Sequence, residues 1–62
     1  MTPTQFIAAR KALNASVNEM AALLNTDSRT IRRYEDGTRT PSGSTQRLVE
    51  ALLDGWRPRV DP

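Results

Sequence analysis

The chain has 62 residues and contains neither cysteine nor histidine. The first absence excludes a disulfide framework and any thiolate metal site. The second removes the commonest metal ligand and the usual general base near neutral pH. Serine, threonine and carboxylates are present without a base, a metal set or a pocket to activate them, so no catalytic residue, cofactor, metal or small-molecule substrate is expected. Aromatic residues are limited to Phe6, Tyr34 and Trp56. No apolar run approaches the roughly 18 residues of a membrane span, and no basic-then-apolar leader opens the sequence, so neither a membrane nor secretion is expected and a cytoplasmic protein follows. A chain this short buries only roughly 60% of the surface that its unfolded form exposes, which leaves room for one domain and no deep cavity. With no staple available, stability must come from packed helices, helped by dimer formation.

Charge is the first positive feature. Nine lysines and arginines stand against seven acidic residues, a net charge of +2, and the isoelectric point is about 9.9. Arg29, Arg32, Arg33, Arg39 and Arg47 cluster in the middle of the chain, with only Glu35 and Asp36 between them. A basic balance of this size permits nucleic-acid binding without demanding it.

Local signals divide the chain into four helices. Thr2, Pro3, Thr4 and Gln5 form a capping box with proline at the first helical position, where its missing N–H costs nothing. Phe6, Ala9 and Leu13, with Ile7 beside them, make the apolar stripe of that helix, and Asn14 stops it. Ser16 to Glu19 is a second capping box, opening about two turns whose inward residues are Met20, Ala21 and Leu24. Asn25 and Thr26 make a tight turn, Asn being the non-glycine residue best suited to the left-handed region. After the loop TRTPSGS, Ser42 or Ser44 caps a fourth helix, in which Leu48, Val49, Leu52 and Leu53 form the largest apolar cluster and which Gly55 closes. The ending WRPRVDP is either disordered or folded back through Trp56, on its own domain or on a dimer partner.

Between the second and fourth helices lies Thr26 to Gly37, TDSRTIRRYEDG. Asp27 can cap a helix, Ile31 and Tyr34 share one side of it, and Gly37 can take the positive φ that ends it. Ser28, Arg29, Arg32 and Arg33 are then free to face outward. Guanidinium groups fork onto guanine O6 and N7 or onto phosphate, and a short helix bearing several of them fits a DNA major groove. The same pattern equally suits a solvated amphipathic helix whose arginines only keep the protein soluble. Two short helices separated by three or four residues, the second one basic, form the supersecondary signature of a helix-turn-helix.

The pattern resembles the helix-turn-helix of phage repressors, Cro proteins and XRE-type regulators over roughly Phe6 to Leu53. The residues that carry the likeness are Arg10 and Leu13, the run S-x-x-E-M-A-x-L-L from Ser16 to Leu24, Thr30 and Ile31, and Y-E-D-G from Tyr34 to Gly37 followed by Pro41. The resemblance implies an all-α, lambda-repressor-like domain of four helices over residues 1–55, or five if the segment 56–62 contributes one. It implies base contacts from Asp27, Ser28, Arg29 and Arg33, the two arginines having the strongest physical case. Asp27 is more safely a cap than a base contact. Phosphate contacts are implied for Ser16 with the N–H groups that follow it and for Thr38, Arg39 and Thr40, because helix N-termini suit anions; Arg32, off the base-reading face, is a phosphate ligand. Arg10 and Glu35 match positions that form an ion pair in some phage repressors and are assigned to structure. Val17 departs from the pattern, since glutamine there often contacts phosphate. The helix that follows in longer relatives is missing or reduced to the Trp56 segment, which removes the usual dimer contact.

The expected function is a sequence-specific transcriptional regulator that binds double-stranded DNA. It is expected to be a repressor, since the small size leaves no room for an effector or activation domain, of phage or mobile-element origin in a bacterial or phage-infected cell, acting as a homodimer on an inverted-repeat operator whose half-sites lie about 34 Å apart. The alternative is a protein-interaction module or antitoxin-like domain that docks a partner through its leucine and Trp56 surfaces.

Overall fold

Each helix begins on a side chain that closes its own first turn. In the computed structural model, which describes residues 1–57, the Thr2 hydroxyl accepts from the Gln5 N–H at 3.1 Å and the Gln5 side chain accepts from the Thr2 N–H at 2.9 Å, opening α1, Pro3–Ala12. Ser16 and Glu19 make the same reciprocal pair, at 3.1 and 3.0 Å, ahead of α2, Val17–Leu23. Asp27 accepts from the Thr30 N–H at 2.8 Å and opens α3, Ser28–Asp36. Ser42 rather than Ser44 caps α4, Gly43–Leu53, accepting from the Thr45 N–H at 3.3 Å. These bonds satisfy N–H groups that the helix itself leaves orphaned, which is why short segments with modest apolar content hold a fixed start.

The helix ends are equally local. After α1, α2 and α4 the chain reverses through Asn14 (φ 54°), Asn25 (φ 54°) and Gly55 (φ 102°). In each case the next N–H reaches back five residues, Ala15 to Arg10, Thr26 to Ala21 and Trp56 to Ala51, at 2.9–3.2 Å. α3 ends at Gly37 with φ 86°, a conformation that costs an L side chain roughly 1–2 kcal/mol. A Cβ at Gly37 would also meet Pro3 Cγ at 3.4 Å, so the end of α3 lies against the start of α1.

α3 packs on both α1 and α2, and α4 packs on α1. Phe6, Met20, Ile31, Val49 and Leu52 are fully buried at the centre, one or two from every helix. Burying a side chain of this kind contributes about 1.5–3 kcal/mol. The Phe6 and Tyr34 rings meet with centroids 5.2 Å apart, tilted by 58°, and bind α1 to the last turn of α3. Leu48 packs at the edge of this core. Leu53 corrects the expected α4 cluster: it is 45% exposed, because it follows Leu52 by one residue and so lies about 100° round the helix from it. Trp56 is 48% exposed. The remainder of the expected C-terminal segment, 58–62, lies outside the described residues. Among the described residues all regular structure is helical, and no helix is long and apolar enough to cross a membrane.

Candidate nucleic-acid interface

α3 presents two different faces. Ile31 is fully buried and Tyr34 nearly so, while Arg29, Arg32 and Arg33 are exposed and Ser28 is half-buried. At about 100° per residue the three arginines fall within an arc of roughly 100°, opposite the buried pair, and nine residues make a rod about 13.5 Å long. Asp36 lies on the same outer arc. Three guanidinium groups on so short a rod can donate in parallel to base edges or phosphate oxygens.

The rod is fixed at both ends. At its start Asp27 holds the Thr30 N–H, and the Thr30 hydroxyl and N–H together keep the Asp27 carboxyl below the usual carboxylate range, with Arg29 and Arg33 adding to the effect. At its end Glu35 accepts from Arg10 Nε at 2.7 Å and from Arg10 Nη2 at 3.2 Å. Arg10 Nη1 also donates to the Ala15 carbonyl at 3.1 Å. One guanidinium therefore ties α1, the turn before α2 and the last turn of α3. The two side chains are only 18% and 15% exposed, and the hydrogen bond to Glu35 raises the pKa of Arg10 above its ordinary value. Arg10 is engaged with the fold, unlike the three arginines of the outer face.

The loop after α3 carries Thr38, Arg39 and Thr40, all exposed. The Asp36 carboxylate accepts from the Thr38 N–H at 2.7 Å, and the Arg39 N–H donates to the Arg33 carbonyl at 3.2 Å. Thr38 lowers the pKa of Asp36 through its side chain and its N–H, and Arg33 lowers it further. Pro41 is buried and its carbonyl accepts from Gln46 Nε2 at 3.1 Å, which anchors the far end of the loop to α4.

Ser16 is placed differently. Its hydroxyl oxygen accepts from Glu19, which leaves only its own O–H to offer an anion, and the Glu19 carboxylate already sits at the start of α2. The Ser16 backbone and side chain hold that carboxyl below its ordinary pKa, so it is ionised there near neutral pH. An incoming phosphate would meet a resident negative charge.

Two features lie away from this surface. Arg57 donates through Nη1 to the carbonyls of Leu52, at 3.0 Å, and Trp56, at 2.8 Å, so its cation closes the carbonyl end of α4 where the helix dipole favours it. The sequence signal for that role was an arginine two residues beyond the terminating Gly55. An open hollow of about 420 Å³ is lined by Leu13, Asn14, Ala15, Glu19, Ala22, Leu23 and Arg57, a mostly apolar set with no acid–base pair suited to catalysis. Among the described residues no group of three acidic residues is placed to hold a metal ion.

Compared with known proteins, the chain matches no family model, no curated protein and no solved structure.

Proposed function

We propose that the protein is a sequence-specific double-stranded DNA-binding regulator in which α2, the turn at Asn25 and α3 act as a helix-turn-helix of the lambda-repressor kind. The observation that carries this reading is the outer face of α3, where Arg29, Arg32 and Arg33 stand free on a helix fixed at both ends. A reading helix needs both properties. Free guanidinium groups supply bidentate donors, and a rigid mount limits the entropy lost when they bind.

Within this reading Arg29 and Arg33, one turn apart, contact guanine edges, with Ser28 and Asp27 beside them at the entering end. Arg32, Thr38, Arg39 and Thr40 hold the flanking phosphates. Ser16 contributes less than these, since Glu19 sits at the same helix start. One such helix reads few base pairs, so two copies act on an inverted repeat, and a dimer seated on a promoter represses by keeping other proteins off it. A cytoplasmic protein of phage or mobile-element origin fits that role.

A second reading draws on Leu53 and Trp56, the exposed large apolar residues of the described chain. They suit docking of a protein partner, as in an antitoxin-like domain. Selection of duplexes from a random pool, followed by salt titration of the winners, separates the two. The DNA reading expects a symmetric guanine-containing site whose affinity falls with salt at a log–log slope of about −0.9 per phosphate neutralised. Recovery of no preferred duplex would sink it and leave the apolar surface as the functional one.

A further inference from the structure

Asp36 has no part in the interface outlined above, yet it lies in the middle of it. It belongs to the last turn of α3, on the same outer arc as Arg32 and Arg33, four and three residues back, and just ahead of the exposed Arg39. Helical neighbours three and four apart lie within reach of one another. Its carboxylate is held by the Thr38 N–H at 2.7 Å, so it is a stationary charge. Arg33, three residues back, is exposed, and the two side chains form no ion pair within 4.0 Å. A fixed anion among cations on a surface meant for phosphate is electrostatically unfavourable for binding as such, and a neutral asparagine would make the same turn.

We propose that Asp36 is a positioning residue for Arg33: its fixed charge, one turn on, opposes capture of the guanidinium by phosphates and leaves it to base edges, so that matched DNA is favoured over bulk DNA. The proposal rests on the DNA reading of α3. Phosphate attraction is independent of sequence and drives non-specific binding, whereas guanine readout depends on where the guanidinium points. A carboxylate beside Arg33 opposes the first and orders the second. Removing its charge therefore strengthens binding to any duplex while loosening the contact that distinguishes one duplex from another.

The test compares Asp36→Asn with Glu50→Gln. Asparagine keeps the oxygen that accepts from Thr38 and loses only the charge. Glu50 is exposed on α4, so its substitution makes the same change in net charge elsewhere. Affinities are measured for the duplex recovered by selection and for a scrambled duplex of equal length, and thermal midpoints check the fold. Asp36→Asn should tighten scrambled binding by about threefold, the effect of one unit charge across about 7 Å of water. Matched binding should gain less, so the matched-to-scrambled ratio falls. Glu50→Gln should leave that ratio unchanged. In an Arg33→Ala background, Asp36→Asn should no longer alter the ratio, because the residue it positions is gone.

Equal gains on both duplexes from Asp36→Asn, or an undiminished effect on the ratio without Arg33, would overturn the positioning role while leaving DNA binding intact. If the wild-type chain itself shows no preference between the duplexes, the DNA reading falls and this inference with it.

Discussion

α3 and α4 are close in length and bury two side chains each, yet they differ in what ties them to the rest of the fold. α4 buries Val49 and Leu52, with Leu48 at the edge of the core, and its ends are closed locally by the Ser42 cap, Gly55 and Arg57. α3 buries Ile31 and Tyr34, packs on both α1 and α2, and turns three arginines to solvent. Like α4 it has a side-chain cap and a left-handed glycine beyond its end, Asp27 and Gly37, but among the described residues it differs from α4 in having an ion pair to another helix, the forked Arg10–Glu35 contact. A helix held by its ends and by one narrow stripe can leave most of its circumference free. The difference teaches that α3 is braced from outside its own stretch of chain, through Arg10, while its polar face is left out of the fold.

The comparison breaks most visibly in the core. Ile31→Ala should destabilise the domain by about 3 kcal/mol, as Leu52→Ala should, because both side chains are fully buried and each truncation leaves a cavity. In a domain of this size such a loss lowers the thermal midpoint by about 12 °C or more. Leu53→Ala, on the exposed side of α4, should stay within about 0.5 kcal/mol of the wild type. A midpoint shift of only a few degrees for Ile31→Ala would show α3 to be an appendage rather than a part of the core.

Arg10→Met sharpens the claim that α3 is braced by an ion pair that has no counterpart on α4 among the described residues. The pair is mostly shielded from water without being fully buried, so its loss lies between the exposed and buried limits, at about 2 kcal/mol. Glu35→Gln and the double variant complete a cycle whose coupling energy measures the pair itself. Denaturant midpoints that stay unchanged for Arg10→Met would mean that the bonds to Glu35 and Ala15 contribute nothing net.

Most of these devices were legible from the residues because they are local. Thr2 with Gln5, Ser16 with Glu19, and Asp27 all act within three positions, and the left-handed Asn14, Asn25 and Gly37 each announce a reversal in the chain. The four-helix layout follows from them. What the residues did not disclose depends on three-dimensional context. Leu53 belongs to a wide apolar stripe, and only the rotation of α4 on α1 decides that it faces outward. Ser42 and Ser44 were equivalent candidates until the helix start was fixed. Pro41 looked like a loop residue and is buried, and Arg57, whose place two residues past Gly55 was the one signal of its role, was not read as closing α4. At the candidate interface the exposure of Arg29, Arg32 and Arg33 follows from their spacing against Ile31 and Tyr34. That the Asp36 carboxylate is held in place needed the turn at Thr38.

Acid should separate the helices in a smaller way. Glu19, Asp27 and Asp36 have carboxyls held below their ordinary values of 4.5 and 3.8. A depressed folded-state pKa contributes stability that is complete above the unfolded value and is lost as pH falls through the folded one. The cap of α4 is Ser42, which does not titrate. Amide exchange followed from about pH 5 to about pH 2 should therefore show the first turns of α2 and α3 losing protection before the first turn of α4. Simultaneous loss in all three would mean that the carboxylate caps do not set the local order of unfolding.

The smallest effect on stability should come from the outer arginines, and it is the most informative about function. Arg29→Ala and Arg33→Ala remove exposed side chains with no bonded partner among the described residues, so each should leave the midpoint within about 0.5 kcal/mol of wild type. On DNA the same variants should lose about 1–3 kcal/mol of discrimination at one base pair each, which flattens the preference among operator variants. Arg39→Ala, in the loop beyond α3, should instead weaken all duplexes alike and reduce the salt slope by about one. The contrast matters more than any single value. A solvated helix whose arginines serve only solubility predicts no sequence-dependent loss from any of the three, and a surface that merely attracts phosphate predicts the same uniform loss from each. Base readout by α3 alone predicts that Arg29 and Arg33 differ in kind from Arg39 while all three leave the fold unmoved.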